Sequence, residues 1–403
     1  MQFKPATRMS RLGTETAFAV SGECAAFAAK GNKVYPFHLG DMNIKTPQNI
    51  IDAASKYMGA GKTGYCAAAG IAELREALAE DVGKARGLQY GTENCTIQPG
   101  GKPTIGKFLM SVMNEGEGVL YPTPGYPIYE SQIEFHSGKP LPYGYYEGNN
   151  GFKLNIDQIK EHIENNDVRA LIYNNGQNPM GSESDEKEMR QIASIAKDND
   201  LLVLSDEAYF DIRYSGKSQS IASLPGMQER TVILYTFSKK FAMTGWRLGG
   251  AIGPQEIIEQ MIRLNVNDES CSNHFIQYAG IEALKGDQSG HKEIVKTLKE
   301  RRDIAVKMMN SITGVRCFKP ETTFYLFPNV TEAFVRKGYG KGVKGMAKFR
   351  LDSLHQIGVS FCTRDHFGKR LAGEENEYIR LAYSGINVDQ IEEGLTKLKE
   401  WLE

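Results

Sequence analysis

Short apolar runs recur along this chain at Gly118–Tyr121, Ala170–Tyr173, Leu201–Leu204 and Val232–Tyr235. Each is too short for a helix and, bounded by polar residues, reads as a buried strand. Between them lie stretches with apolar residues three or four apart, such as Ile71, Leu74, Leu78 and Val82, the pattern of a helix with one buried face. Strands that alternate with such helices predict an α/β fold, a mainly parallel sheet sandwiched by helices. Farther on, Ser289–Ile312 reads as one extended helix that leads from a large domain into a C-terminal one. Ile391, Leu395, Leu398 and Leu402 mark a last amphipathic helix, with Asn387 and Gln390 as its capping box.

The polar residues that follow each apolar run change the picture. Tyr121 leads to PTPGY, Tyr173 to NNGQNPMG, Leu204 to SDEAY and Tyr235 to TFSKK. Ligands of open parallel sheets sit outside the carboxyl ends of the strands, so these four clusters are expected to converge on one site.

Composition narrows the class. The chain has 403 residues and a formal net charge of −1, so no basic excess draws nucleic acid or an anionic membrane. The start, Met1-Gln2-Phe3-Lys4-Pro5, shows no secretion signal, and no apolar segment approaches the ~18 residues that suggest a membrane span. The six cysteines are scattered without a CxxC pair, which favours reduced thiols and a cytoplasmic location. The seven histidines lack metal-ligand spacing, and no metal is expected.

The segment SKKFAMTGWRLGG (238–250) carries the most specific chemistry. Lys239 stands directly after an apolar strand, where an amine can bond covalently to an aldehyde cofactor. Arg247, eight residues on, can neutralise that cofactor's phosphate. Pyridoxal phosphate needs both groups. The competing reading of Lys239 alone is a surface lysine beside Lys240.

Asp206, closing the run Leu201–Ser205, can hold a pyridine nitrogen protonated, or simply cap a helix. Tyr209 and Asn178 can each donate to the ring's phenolic oxygen, although Asn178-Pro179-Met180-Gly181 is also a plain turn sequence. Tyr126 can stack on a flat ring or serve the core. Gly100-Gly101-Lys102-Pro103 precedes a helical stretch, Thr104–Val112, with proline at a first helical position and backbone amides open to an anion. The overlapping GKPTIGK has Phe108 where a nucleotide P-loop needs serine or threonine, and Thr96–Pro99 before it forms only a weak strand. Arg380, in the alternating run Tyr378–Tyr383, can clamp a carboxylate with two parallel hydrogen bonds or lie exposed on its strand.

SKKFAMTGWRLG, SDEAY, NPMG, PGGKP and YIRLAY together resemble the fold-type I pyridoxal-phosphate aminotransferases of class I/II, in their aspartate aminotransferase-like branch. The resemblance runs from HLGDMNIKTP (38–47) to about Ser384 and includes GKTGYCAAAGIAELREAL (61–78). It implies a large domain over 49–289 and a small α+β domain built from 1–48 and 290–403, assembled as a homodimer. It implies that Lys239 carries the cofactor and moves the proton, and that Asp206 pairs with the ring nitrogen. Asn178 and Tyr209 would contact the ring oxygen, and Tyr126 would stack on the ring. The phosphate would lie among Gly101, Lys102, Pro103, Thr236, Ser238 and Arg247, with Tyr65 reaching it from the partner subunit. Arg380 would hold the substrate's α-carboxylate beside Gly40 and Asn178. NPMG departs from the usual NPTG, Gly40-Asp41-Met42 from Gly-Glu-Pro, and Cys362-Thr363-Arg364-Asp365 replaces the usual Pro-Gly. Those loops border the substrate pocket.

The expected reaction moves an amino group from an L-amino acid to a 2-oxo acid by a ping-pong route. Lys102, with Arg364 as a second candidate, points to aspartate or glutamate as donor and 2-oxoglutarate as acceptor. An aromatic donor, or a racemase, lyase or decarboxylase outcome on the same fold, fits the same motifs.

Overall fold

The computed structural model describes residues 3–13, 17–148 and 151–403, so the first two residues of the start read for a leader lie outside it. Its centre is a seven-stranded sheet. In spatial order the strands are Cys95–Gln98, Gly249–Ile252, Thr231–Thr236, Leu202–Asp206, Val168–Asn174, Gly118–Pro122 and Lys139–Tyr143. All run parallel except Gly249–Ile252, which is antiparallel to both neighbours. The four apolar runs therefore lie side by side, and their residues are almost wholly buried.

Two apolar layers flank the sheet. One contains Leu74, Leu78 and Val82 of helix Ala72–Arg86, packed with Ile97, Ile233 and Tyr235. Part of the other side contains Ile105, Phe108 and Leu109 of helix Lys102–Val112, packed with Ile172, Leu204 and Leu234. Val and Ile at alternating strand positions fill both layers, which is why a buried parallel strand reads as a continuous apolar run.

A separate core gathers residues distant in sequence. Tyr35 and Phe37 pack with Leu298 of the helix Ser289–Met309, with Phe324, and with Leu395 and Leu398 of the helix Val388–Leu402. Tyr35–Pro36 pairs in parallel with Val359–Ser360, and Ile379–Ala382 lies between Tyr325–Leu326 and Cys362–Thr363 in a small antiparallel sheet. The last helix is capped as expected, Gln390 Oε1 accepting from the Asn387 amide.

Two expectations need correction. Cys95–Gln98 is a regular, fully buried strand rather than a weak one. Its polar Thr96 and Gln98 are tolerated because Asn265 donates to Thr96 Oγ1 at 3.1 Å and accepts from Gln98 Nε2 at 3.0 Å. Pro103 is the second residue of its helix, since the helix begins at Lys102. Sequence reasoning also missed the N-terminal helix Ala17–Ala28.

Candidate active site

The carboxyl ends of the four parallel strands open into a cavity of about 490 Å³. Gly40, Gly101, Lys102 and Tyr126 line it, with Asn178, Asp206, Tyr209 and Thr236 deeper in, and with Ser238, Lys239, Arg247 and Arg380. One residue expected here is elsewhere. Pro103 does not line the cavity, because the first helical turn carries it away from Gly101. Tyr65, expected at the partner subunit's site rather than this one, is 88% exposed on a loop beside a separate surface cavity.

Lys239 belongs to a one-turn helix, Phe237–Lys240, that starts where the strand Thr231–Thr236 ends. Thr236 caps this helix, its Oγ1 accepting from Ser238 N at 3.2 Å and meeting Ser238 Oγ at 2.9 Å. That cap turns Lys239 into the cavity, where its Nζ donates to Gly40 O at 3.0 Å. Lys240, the more deeply buried neighbour, points the other way into ion pairs with Asp81 and Asp211, both at 3.3 Å.

Asp206 ends its strand in the cavity wall, 7% exposed. Burial pushes its carboxyl above the ordinary range, while hydrogen bonds from Tyr129 and the Ala208 amide, and the nearby Lys239, pull it back. Asp206 Oδ1 accepts from Ala208 N at 3.1 Å, so the local turn and the site reading coexist in one side chain. Asn174 donates to the Asp206 carbonyl at 2.9 Å and accepts from Asn178 N at 3.1 Å, which ties the NNGQNPMG loop to the SDEAY loop. Glu207, next in the chain, is paired with the buried Arg86 at 2.6 Å, and its charge adds to the upward push on Asp206.

Backbone geometry shapes the opposite end. Arg247 adopts φ +57°, a left-handed conformation unusual for a side chain of this size. Gly100 has φ +102°, and a Cβ there would lie 2.1 Å from Arg247 Nη2. A Cβ at Gly101 would lie 3.2 Å from Thr236 Cβ. Glycine at both positions lets the loop before helix Lys102–Val112 close against Thr236 and Arg247.

Arg380 lies between aromatic rings, its guanidinium carbon 4.5 Å from the Tyr325 centroid and 4.7 Å from that of Phe367. Nη1 donates to Asn178 Oδ1 at 3.1 Å and Nη2 to His38 O at 2.5 Å, whereas Nε is buried without a hydrogen-bond partner. Desolvation, then the charges of Arg380 and Arg350, push the His38 imidazole down to about 4. His38 is therefore neutral beside Arg380 at ordinary pH.

Arg364 corrects an expectation. It is buried but does not line this cavity. Its Nε and Nη2 each donate to Glu374 at 2.7 Å, and the remaining donors reach Gly368 O, Lys369 O and Thr123 Oγ1. A buried guanidinium must be fully matched, and Glu374 ten residues later satisfies it. Tyr129, Asn174, Tyr325 and Phe18 line the cavity and were not anticipated. Tyr129 had one available signal, its place three residues after Tyr126 at the start of the helix Ile128–Phe135.

These residues fit pyridoxal phosphate: a buried acid at one end, an amine between, and hydroxyls with a guanidinium around a close glycine approach at the other. The description "Aminotransferase class I and II" matches residues 33–398 as a family model. The chain belongs to this family and is a pyridoxal-phosphate-dependent aminotransferase. It is 31% identical to an aspartate aminotransferase of Bacillus subtilis over 99% of both chains. It is 34% identical to an aspartate aminotransferase of Pyrococcus abyssi over 93% of both. Among solved structures, it resembles the aromatic aminotransferase of Pyrococcus horikoshii with a TM-score of 0.83 and 33% identity, over 90% of this chain and 94% of that one. Among the described residues, no helix is long and apolar enough to cross a membrane, and no cluster of His, Cys, Asp or Glu could hold a metal.

Proposed function

We propose that the amino donor is aspartate or glutamate and the acceptor a 2-oxo acid such as 2-oxoglutarate, in a ping-pong exchange. The observation that carries amino-acid transfer here is the buried, unpartnered Nε of Arg380 in the cavity wall, a donor that any amino acid's α-carboxylate would satisfy. Lys102 supports the acidic preference. It lines the cavity mouth, its Nζ 5.7 Å from the Tyr126 ring centre, where it can meet a second carboxylate.

Pyridoxal phosphate, when bound, supplies an electron sink for the substrate's α-carbon. Lys239 would be the cofactor's covalent anchor and the base that moves the substrate's α-proton. Asp206 would hold a positive ring nitrogen, and Tyr209 and Asn178 would donate toward the ring's phenolic oxygen. Tyr126 would cover one ring face. The backbone of Gly101 and Lys102, with Thr236, Ser238 and Arg247, would form the phosphate cradle, which leaves the Lys102 side chain for substrate. Tyr65, fully presented on its loop, completes the cradle of a second subunit in a homodimer. The small domain of 1–48 and 290–403 carries Gly40 and Arg380 against the large domain of 49–289, and the enzyme works in the cytoplasm.

A second reading has its own support. Phe18 of the N-terminal helix lines the same cavity while 58% exposed, a position suited to an aromatic donor's ring.

A panel of amino donors with 2-oxoglutarate, run on wild-type, Lys239→Ala and Lys102→Ala enzymes, tests this. Lys239→Ala is expected to abolish turnover. Lys102→Ala is expected to lower kcat/KM for aspartate about tenfold, roughly 1.4 kcal/mol, and to spare aromatic donors. An unchanged donor preference removes the acidic reading, and full activity of Lys239→Ala removes the mechanism.

A further inference from the structure

Two cysteines 205 residues apart in the chain meet on one face of the molecule. The Cys66 amide donates to Cys271 Sγ at 3.5 Å. The meeting is built by buried neighbours. Gln277, wholly buried, donates to Cys66 Sγ at 3.1 Å and to Ser272 O at 2.9 Å, and its Oε1 accepts from Ile71 N at 2.8 Å. Cys66 Sγ also lies 3.6 Å from Ser272 O. One amide side chain thus holds both thiol-bearing segments in register.

Access is selective. Cys66 and Cys271 are half-buried, while Cys24, Cys95, Cys317 and Cys362 are buried. Cys271 and Tyr65 line the same surface cavity of about 260 Å³.

We propose that Cys66 and Cys271 form a dithiol that a hydroperoxide closes to an intrachain disulfide, tying the Tyr65 loop to the turn before the helix His274–Lys285. In the first step the Cys271 sulfur attacks one peroxide oxygen; the O–O bond breaks, and Cys271 becomes a sulfenic acid as the other oxygen leaves as water. In the second, the Cys66 sulfur attacks the oxidised sulfur; the S–S bond forms, the S–O bond breaks, and the hydroxyl leaves as water with the Cys66 proton. The thiols together lose two electrons and two protons, and hydrogen peroxide ends as two waters. Cys271 lines the surface cavity, which Cys66 does not, and its sulfur accepts from the Cys66 amide, so the first attack is assigned to Cys271.

The test treats the cofactor-loaded enzyme with hydrogen peroxide, then measures intact mass and maps unreduced peptides. Expected are a loss of two hydrogens per chain, a linked peptide pair containing Cys66 and Cys271, reversal by a thiol reductant, and no link in Cys271→Ser. Cys66→Ser is expected to accumulate a sulfenic acid at Cys271, trapped by dimedone. The proposal is overturned by an unchanged mass, by oxidation ending at sulfinic acid without a link, or by a link to any other cysteine. Activity recorded on the same samples bears on the separate reading of Tyr65: a disulfide that leaves turnover intact removes that reading and leaves the dithiol standing.

Discussion

The hydroxyl of Tyr129 donates to Asp206 Oδ2 at 2.6 Å, from the helix Ile128–Phe135 to the end of the strand Leu202–Asp206. Both groups are buried, so the bond orients the carboxylate and offsets part of the cost of its charge. Tyr129→Phe removes it without opening space. A hydrogen bond to a charged group contributes about 1.5–3 kcal/mol, so kcat/KM should fall about ten- to a hundredfold. Steady-state kinetics with one donor and acceptor pair check this; unchanged kinetics would show that Asp206 needs no such support.

Asp206 also sets a pH dependence of stability. Its folded carboxyl is held above the ordinary value, chiefly by burial. The folded state therefore keeps a proton that the unfolded state has released, and stability of the cofactor-free protein declines as pH rises from the ordinary carboxylate range through the raised value. Asp206→Asn carries no such proton. Its melting temperature should match wild type at the acid end and exceed it at neutral pH. Parallel melting curves across the range would contradict the assignment.

Arg380 is placed to hold a carboxylate with its spare donor while Asn178 and His38 occupy the others. Lysine keeps the charge and loses the planar fork. Arg380→Lys should lower kcat/KM about ten- to a hundredfold, mainly through KM, for every amino acid donor alike. A loss confined to one donor would assign Arg380 to the side chain instead.

Behind the site, Arg86 and Glu207 pair at 2.6 Å with side chains almost wholly buried. The Arg86 guanidinium also lies 3.7 Å from the centre of the Phe210 ring. Arg86→Ala strands the Glu207 charge and should cost about 3–5 kcal/mol in chemical denaturation. Replacing both partners with apolar residues should cost less than the single change.

Much of this was legible in the chain. Val232–Tyr235 and Leu201–Leu204 read as buried strands because both faces of a parallel sheet are covered, and the polar residues beyond them line one cavity because parallel strands end on one side. Lys239 and Asp206 stood out only with their neighbours counted, since position alone leaves a surface lysine and a helix cap open as readings. Tyr129 did not, since a tyrosine on an amphipathic helix has the same spacing whether it fills the core or supports an acid. Arg364 was misplaced for a related reason: its partner Glu374 lies across a loop whose path no local pattern encodes.

By itself, then, the sequence determined the order of strands and helices and the identity of the groups beyond each strand, because periodicity and turn chemistry act over a few residues. Tertiary structure alone decided which groups meet. Cys66 beside Cys271, Tyr129 on Asp206, and Arg380 between Tyr325 and Phe367 join segments far apart in the chain. Their distances follow from how whole elements pack, and that packing is a property of the closed core rather than of any stretch within it.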